Sequence, residues 1–408
     1  MKPYSGFWRS ALLAGMLPLA ACGDFFEVTN PGPIEDEKLN SADAVPGLVA
    51  GMSSDLSIRF DDLIMLNSVA ADELAHGGSY TAPGLFYRGR IRPEDVNFHW
   101  AGMQRARWVA ENGIERMKNI PNYRYGTDVH SARANLFAGF SNRTLGENVC
   151  FAVIDGGPKQ DFKVHFSRAE AQFTEALRIA ESIKNRELTN AALAGRASVL
   201  AWQGKWDQAV QDAAQVPTSF VINAVFSENS ARENNDLVVE THERREYTVY
   251  NTQWASVFRD PRVPWDTVYT AARRIQNGQD GKTPFFRQKK MGPSRGADIA
   301  LAKGTEMRML QAEAALRKND IEGAFALINE QRKFYGMAPL TAPATLAEAW
   351  KTLQKERGAV LWLEGRRFWD LRRWFEESGP AHNAFLKDRD KCIPISQEEM
   401  DANPALRG

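Results

Sequence analysis

The sequence predicts a mostly helical protein in which pairs of antiparallel helices form a scaffold and long irregular loops are inserted between them. Apolar residues recur at helical spacing through much of the chain, as in FSRAEAQFTEALRIAESI, where Phe173 and Leu177 share one face. Two stretches lack this periodicity, residues 72–100 and 216–303, and both carry many aromatic residues. We therefore expect helices to form the core and the two stretches to form exposed loops.

The composition is that of an ordinary globular protein. In 408 residues, 51 basic side chains balance 51 acidic ones, so the sequence predicts no general attraction to polyanions and no nucleic-acid partner. No shift in composition divides the chain, and we expect one large domain over residues 22–408. Only Cys22, Cys150 and Cys392 are present, which excludes a disulfide framework and allows at most one bridge.

Residues 1–21 have the layout of a secretory signal peptide. Lys2 and Arg9 precede a short apolar run, ALLAGMLPLA, which is too short to span a bilayer. The segment LAAC, which ends at Cys22, resembles the lipobox of bacterial lipoproteins, in which the cysteine is acylated and the chain is cut before it. This resemblance predicts Cys22 as a lipid attachment site. The alternative is a plain secretory signal with an incidental cysteine.

The segment after Cys22 is expected to be a tether. Turn-forming residues around Asn30-Pro31-Gly32-Pro33 indicate extended chain over residues 22–40. A helix should start near Ser41, and its apolar stripe should contain Val45, Leu48, Val49 and Met52. Because no second apolar run near 18 residues follows, we expect a tethered domain that faces the periplasm or the cell exterior.

Two helical pairs stand out in the chain. In each pair two alanines lie twelve residues apart, Ala197 with Ala209 and Ala312 with Ala324. This spacing resembles a tetratricopeptide helix pair, in which small residues let antiparallel helices approach closely. A further pair over residues 344–377 would extend the stack. Accidental likeness among alanine-rich hairpins is the alternative, since such motifs are degenerate.

Local motifs of catalysis are absent from the sequence. HERRE at 242–246 lacks the second histidine of a zinc site, and QNGQDGKTP has Gln276 where a phosphate loop needs glycine. No GxSxG or GxGxxG is present. We therefore predict no enzyme activity, no cofactor and no metal, although spacing alone does not exclude a pair of carboxylates for glycoside hydrolysis.

The C-terminal stretch ERGAVLWLEGRRFWDLRRWFE, residues 356–376, is dense in tryptophan and charge. On one continuous helix, Glu364 would meet Arg367, and Asp370 would lie between Arg366 and Arg373, so that ion pairs would follow one surface. We interpret the stretch as a structural helix in preference to a ligand site, since the carboxylates nearby already satisfy the guanidinium groups.

Within this stretch, LWLEGRRFWDLRRW strongly resembles the C-terminal signature of the SusD/RagB family of outer-membrane nutrient-binding lipoproteins. CGDFFEVTNPGPI is similar to the start of that family after the lipidated cysteine, and EMRMLQAEAALRKNDIEGAFALINEQR is similar to its central helix pair. DPRVP, residues 260–264, resembles a further family segment less specifically. The resemblance extends over essentially the whole mature chain.

The resemblance implies a SusD-like, mostly helical fold with tetratricopeptide-like pairs and irregular loops that form the ligand face. It implies a cell-surface protein of the outer membrane that captures a glycan or another oligomeric nutrient and hands it to a SusC-type TonB-dependent β-barrel transporter. It implies no chemistry on the ligand. Of the family's functional residues, only Cys22 transfers residue by residue.

Sugar capture favours flat aromatic rings beside amide and charged groups. The candidate ligand-binding residues are therefore aromatic residues in the two predicted loop stretches: Tyr80, Tyr87, Trp100, Tyr250, Trp254 and Trp265. Asp72 and Glu73 are instead expected to order the first stretch. The alternatives to a nutrient-binding protein are a tetratricopeptide-type scaffold for envelope assembly and a lipid-anchored hydrolase. Whether Cys150 and Cys392 pair stays open, although an export compartment permits a bond.

Overall fold

The structure, a computed structural model, describes residues 36–257 and 259–407. The predicted signal peptide, the lipid attachment site Cys22 and most of the tether therefore lie outside the described residues. The chain divides into two units, residues 1–39 and 40–408. Of the first unit, only a short 3-10 turn over Asp36–Leu39 is described. All other described residues belong to the second unit.

Long helices dominate the second unit, as the apolar periodicity predicts. In the first half they are α1 (Val45–Ala70), α2 (Thr81–Tyr87), α3 (Asn97–Asn119), α4 (Val129–Asn148), α5 (Val164–Ser182), α6 (Arg186–Trp202) and α7 (Trp206–Gln215). In the second half they are α8 (Asp236–Val238), α9 (Gly304–Arg317), α10 (Ile321–Phe334), α11 (Leu346–Val360), α12 (Arg367–Glu376) and α13 (Gln397–Ala402). The helix predicted near Ser41 is α1, and its stripe residues Val45, Val49 and Met52 are buried.

The two predicted helical pairs are present, as α6 with α7 and α9 with α10. Ala197, Ala209, Ala312 and Ala324 are all fully buried, as close helix packing requires. Gly204 ends the first helix of one pair with a φ of +78°, a conformation that favours glycine. Helices α11 and α12 follow at the predicted third position, and α11 packs against α9.

Close approach of α4, α5 and α6 is built around one phenylalanine. Phe173 on α5 is fully buried, and a Cβ at Gly195 of α6 would lie 2.4 Å from its Cε1. A Cβ at Gly139 of α4 would lie 2.7 Å from the same atom. The two glycines therefore let three helices meet at one ring, because any larger side chain would displace it.

The strands are short and form antiparallel pairs. They are β1 (Ala75–His76), β2 (Phe151–Ala152), β3 (Gln160–Asp161), β4 (Val221–Ala224), β5 (Tyr247–Thr248), β6 (Trp265–Thr267), β7 (Phe286–Gln288) and β8 (Ile299–Lys303). Their pairing is β1 with β5, β2 with β3, β4 with β8, and β6 with β7. Most of them lie in the stretch 216–303, which is otherwise irregular as predicted except for α8 and the π-helix over Val239–Glu243 that follows it. The stretch 72–100 is more helical than predicted, since it contains α2 and the start of α3.

The C-terminal signature is not one continuous helix. Helix α11 ends at Val360 and α12 begins at Arg367, and Leu363 and Gly365 between them have φ values of +57° and +69°. The predicted pairing of Glu364 with Arg367 is therefore wrong, because the turn sends the two side chains to different partners. The predicted pairing of Asp370 with Arg373 is confirmed at 2.8 Å. We call residues 361–366 the signature turn.

The charges of the signature are buried, in contrast to the predicted surface ion pairs. We define a core charge cluster of four arginines and four carboxylates: Arg143, Arg357, Arg366, Arg373, Glu147, Glu306, Glu313 and Asp370. Arg366, for example, lies 2.8 Å from Glu147 on α4 and 3.1 Å from Glu306 on α9. The interpretation of the signature as structural therefore fits its position between helices.

Cys150 and Cys392 form a disulfide bond, which answers the question left open by the sequence. The backbone on both sides of the bond is also paired. Cys150 donates its N–H to Ile393 at 2.9 Å, and Ile393 donates to Asn148 at 2.8 Å. The bond thus joins the end of α4 to the segment that follows α12.

Candidate functional site

Three loop segments meet on one face of the molecule. Strand β1 pairs with β5, which brings the segment after α1 beside the segment that precedes Tyr250. Asp280 then donates its N–H to the carbonyl of Gly77 at 3.0 Å, so the loop between β6 and β7 joins the other two. Residues far apart in the chain are therefore neighbours on this face, as expected for a ligand-binding surface.

A cavity of about 620 Å³ opens where the segment after α1 and the segment after β5 meet α12 and the chain that follows α12. We call it the loop cavity. It is lined by Ala71, Asp72, Leu74, Tyr87, Asn251, Thr252, Gln253, Arg367, Asn383, Phe385 and Arg389. The lining combines aromatic rings, side-chain amides and charged groups, which is the mixture that a polar oligomer requires.

Asp72 and Arg367 form the polar floor of the loop cavity. Arg367 donates from Nε and Nη2 to the two carboxylate oxygens of Asp72, each at 2.8 Å, and Gln253 donates to the same carboxylate. The pKa of Arg367 is raised, because the carboxylate of Asp72 outweighs the effect of burial. The bidentate pair therefore neutralises both groups and fixes the start of α12 against the end of α1.

The signature turn supports this floor from behind. Glu73, fully buried next to Asp72, accepts the N–H of Leu363 at 2.7 Å. Burial raises the pKa of Glu73 to about 8. Glu364 accepts from Lys290 at 2.6 Å and from Lys303 at 2.5 Å, so two lysines hold the turn on its other side. The prediction that Asp72 and Glu73 order the first loop therefore agrees with their observed contacts.

Arg389 forms one wall of the loop cavity and is held by backbone alone. Its Nη2 group donates to the carbonyl of Tyr87 at 2.7 Å and to that of Ala70 at 3.1 Å, and Nε donates to Ala70 at 3.3 Å. A Cβ at Gly89, whose φ is +79°, would lie 2.6 Å from Cγ of Arg389, so the close approach requires glycine. The guanidinium carbon lies 5.0 Å from the centroid of the Phe385 ring.

The remaining wall presents amides and an exposed ring. Asn251 donates to the hydroxyl oxygen of Tyr87 at 3.3 Å, and Asn383 donates to the side chain of Gln354 at 2.9 Å. Phe385 lines the cavity and leaves 38% of its surface exposed. Flat aromatic surface beside amide groups suits the alternating apolar faces and hydroxyl groups of a sugar.

Of the predicted aromatic residues, the structure brings Tyr87 into the loop cavity and places three others on the same loops. Tyr80 is exposed and accepts a hydrogen bond from Arg244. The half-buried ring of Trp265 stacks on Phe286 with centroids 5.0 Å apart. Tyr250, 37% exposed, meets Phe286 edge-on at 5.3 Å and directly precedes Asn251. Tyr250 therefore lies beside the loop cavity.

Trp100 and Trp254 were predicted as loop aromatics, and the structure places both in the core. Trp100 belongs to α3, is 2% exposed and donates to Glu399 at 3.3 Å. Trp254 is fully buried with its ring 5.7 Å from the guanidinium carbon of Arg367. Trp254 thus supports the floor of the loop cavity from below, and neither ring is available to a ligand at the present surface.

Sequence reasoning missed Asn383, Phe385 and Arg389. They follow the signature in a stretch without apolar periodicity, and Arg389 stands in the charge run KDRDK, which on its own indicates a solvated surface. A weak signal was present, because the disulfide-forming Cys392 is only three residues after Arg389. Only the fold shows that this segment returns to the end of α1.

Two further features are absent from the described residues, a metal site and a membrane-spanning helix. Within 36–257 and 259–407, no three His, Cys, Asp or Glu side chains gather as a metal site would require. No helix in the same part of the chain combines the length and apolar character needed to cross a bilayer.

Comparison with known proteins gives one family. Residues 288–391, from the end of β7 to just after Arg389, match the model of the SusD family. No curated protein matches the chain. The family match therefore covers the signature, the core helices around it and Arg389.

Solved structures with similar folds cover nearly the whole chain. A SusD superfamily protein from Bacteroides thetaiotaomicron aligns with a TM-score of 0.66 and 15% identity over 90% of this chain and 98% of that one. A protein from Bacteroides vulgatus described as a putative sugar binding protein aligns with a TM-score of 0.64 and 14% identity over 90% and 97%. A laminarin binding SusD-like protein aligns with a TM-score of 0.61 and 14% identity over 89% and 99%. The mostly helical, SusD-like fold class predicted from the sequence is confirmed.

Proposed function

We propose that this chain is a member of the SusD/RagB family and acts as a cell-surface protein that captures a glycan and hands it to a SusC-type TonB-dependent transporter. The observation that carries the proposal is the lining of the loop cavity. Phe385 and Tyr87 supply aromatic surface, and Asn251 and Asn383 supply amides, at the junction of loops that the helical scaffold positions. Two similar structures are described as proteins that bind sugar or laminarin, which favours a glycan over other oligomers.

The proposed role is binding without turnover. Among the described residues, Asp72 is the carboxylic acid that lines the loop cavity and Glu73 follows it in the chain, and both are engaged in holding α12 and the signature turn. A general acid or nucleophile must be able to reach the scissile bond, and a carboxylate held by an arginine on both oxygens is poorly placed for that role. We therefore expect a captured oligosaccharide to be recovered intact, as chromatography of the released ligand would show.

The proposed attachment to the membrane runs through Cys22. The acylated cysteine would anchor the mature chain, and the residues after it would act as a tether to the domain. Metabolic labelling with a clickable fatty acid tests this point. Label should appear in the native protein and disappear in Cys22→Ala, whereas a plain secretory signal would leave both unlabelled.

Glycan capture is tested by isothermal titration of the folded protein with a panel of oligosaccharides. We expect Phe385→Ala to weaken binding of the best ligand by roughly tenfold, because a sugar–aromatic contact in a desolvated site is lost. Phe334→Ala is the matched control, since Phe334 is 51% exposed but lies outside the loop cavity. Equal affinity of wild type and Phe385→Ala would contradict the site.

Delivery to a transporter is tested separately. Affinity purification of the lipidated protein from its own membranes in mild detergent should recover a TonB-dependent β-barrel in near-stoichiometric amount. Recovery of envelope-assembly factors without a barrel would favour the scaffold alternative.

A further inference from the structure

We propose that the loop cavity selects an acidic saccharide and that Arg389 receives its carboxylate. This inference rests on the proposed glycan capture and adds the chemical class of the ligand. It follows from three features of the cavity: its net charge, the unused donors of Arg389 and the ring next to them.

The charged residues that line the loop cavity do not balance. Asp72, Arg367 and Arg389 are its ionisable side chains apart from Tyr87. Asp72 is fully committed, since Arg367 donates to both of its oxygens and Gln253 donates to one of them. Arg389 forms no ion pair with a carboxylate among the described residues. One positive charge is therefore left over, and a ligand with one carboxylate would neutralise it.

Arg389 is also fixed in position before any ligand arrives. Nε and Nη2 donate to carbonyls of residues 69, 70, 86 and 87, which uses the donors on one side of the guanidinium group. No residue of the described chain accepts a hydrogen bond from Nη1. A cation held by neutral carbonyls keeps its full charge for a ligand, and its ordering entropy is already spent on folding.

The surroundings of Arg389 favour a sugar acid over a free inorganic anion. Phe385 lies against the guanidinium group and leaves 38% of its surface exposed, so a ring can stack beside the point where a carboxylate would bind. Asn383 and Asn251 line the same cavity, and the amide oxygen of Asn251 accepts no hydrogen bond from the described residues, so it can accept one from a ring hydroxyl group. A cavity of about 620 Å³ is large enough for more than one sugar unit.

The test compares three forms of each ligand on the unmodified protein. Tetrasaccharides of several backbones are prepared as free uronates, as methyl esters and as carboxyl-reduced neutral sugars, and their affinities are measured by titration calorimetry. We expect the uronate form of the best ligand to bind at least ~10-fold tighter than its ester or reduced form. The difference should narrow at high salt, since part of the attraction is screened.

Variants then assign the preference to one side chain. Arg389→Gln should reduce the preference for the uronate over its reduced form to less than about twofold, whereas Arg389→Lys should retain part of it because the charge remains. Lys387→Gln is the matched control, because it removes an exposed positive charge two residues away that does not line the loop cavity. Circular dichroism and the melting temperature show whether each variant is folded.

The outcomes separate this inference from the proposed function. Equal binding of all three forms would overturn the acid preference and leave glycan capture intact. Tighter binding of peptides through their C-terminal carboxylate would overturn it in favour of a peptide ligand. If no saccharide binds in any form, glycan capture itself fails, and the inference fails with it.

Discussion

Arginines in two regions of this protein lie in opposite electrostatic surroundings. In the core charge cluster, four arginines face four carboxylates. Arg373, for example, contacts two of them, Glu313 and Asp370. At the loop cavity, Arg389 donates only to backbone carbonyls and has no carboxylate partner among the described residues. A buried arginine that is neutralised within the fold holds helices together, whereas a half-buried arginine without a counter-ion is available to a ligand.

The difference shows that residue type alone does not identify a binding site. Arg373 and Arg389 lie only 16 residues apart and both fall within the segment that matches the family model. The sequence makes Arg373 more conspicuous, because it stands among tryptophans and other arginines. Glu313 of α9 lies beside Arg373 of α12, whereas no helix in the described part of the chain supplies an acid to Arg389.

The largest effect is expected in the core charge cluster. Glu313→Ala should lower the free energy of unfolding by about 3–5 kcal/mol, because it leaves buried arginines without their carboxylate. Glu313 is fully buried and lies 2.7 Å from Nη2 of Arg373 and 2.8 Å from Nη2 of Arg317. Urea unfolding followed by tryptophan fluorescence measures the change.

An exposed ion pair provides the control for this variant. Glu115→Ala removes a carboxylate that pairs with Lys118 on α3. The side chain of Glu115 is 66% exposed. We expect a change of about 0–1 kcal/mol there. Similar losses for Glu115→Ala and Glu313→Ala would show that burial of the cluster adds no stability, which would contradict the comparison.

A smaller effect on the free energy of unfolding is expected at Glu73, a buried carboxylate that has no directly bonded arginine. Glu73 accepts hydrogen bonds from Leu363 N–H and the Ser68 hydroxyl, and its pKa is raised to about 8 by burial. The folded state therefore keeps a proton that the unfolded state releases above its ordinary pKa near 4.5. Stability due to this group is present below pH 4.5 and is lost as the pH rises towards 8.

Glu73→Gln tests this difference, since glutamine is neutral at every pH. The free energy of unfolding of wild type minus that of the variant should fall between pH 5 and pH 8, with a slope of at most roughly 1.4 kcal/mol per pH unit. Burial also raises the pKa of Asp62 to about 7, and the subtraction removes that contribution because both proteins contain it. A flat difference over this range would show that Glu73 is ionised in the folded protein.

The helical part of the fold was predictable from the sequence, because it depends on short-range periodicity. Ala197 and Ala209 mark one helix pair by spacing alone, and both are buried as predicted. The break in the signature was not predicted, since Leu363 adopts a positive φ that its residue type disfavours. Buried contacts of the turn, such as that of Leu363 N–H with Glu73, override this local preference.

The candidate site was predictable only in part. Of the aromatic residues predicted from the irregular stretches, Tyr87 lines the loop cavity and Tyr250 lies beside it, and their contact with a ligand stays a prediction. The same reasoning failed for Trp100, because the start of α3 could not be located within a stretch rich in Gly and Pro. Arg389 could not be found at all, since its role depends on contacts with residues some 300 positions earlier in the chain.

The smallest effect is expected at the margin of the loop cavity. Tyr250 is partly exposed, directly precedes the lining residue Asn251 and does not itself line the cavity. Tyr250→Ala should therefore change the free energy of unfolding by less than about 1 kcal/mol. It should weaken the binding of a long oligosaccharide by roughly threefold to tenfold. A short ligand that fits within the cavity should bind the variant as well as it binds wild type.

The dependence on ligand length is what assigns Tyr250 to the margin. Oligosaccharides of two to eight sugar units are titrated into both proteins. The loss of affinity in Tyr250→Ala should grow with the length of the oligosaccharide and then reach a plateau, once the ligand is long enough to extend past the Tyr250 ring. Tyr269→Ala is the matched control, because Tyr269 is 60% exposed and follows β6 on the neighbouring loop. If Tyr250→Ala weakened all lengths equally, Tyr250 would belong to the primary site. If it weakened none, the ligand path would leave the loop cavity on another side.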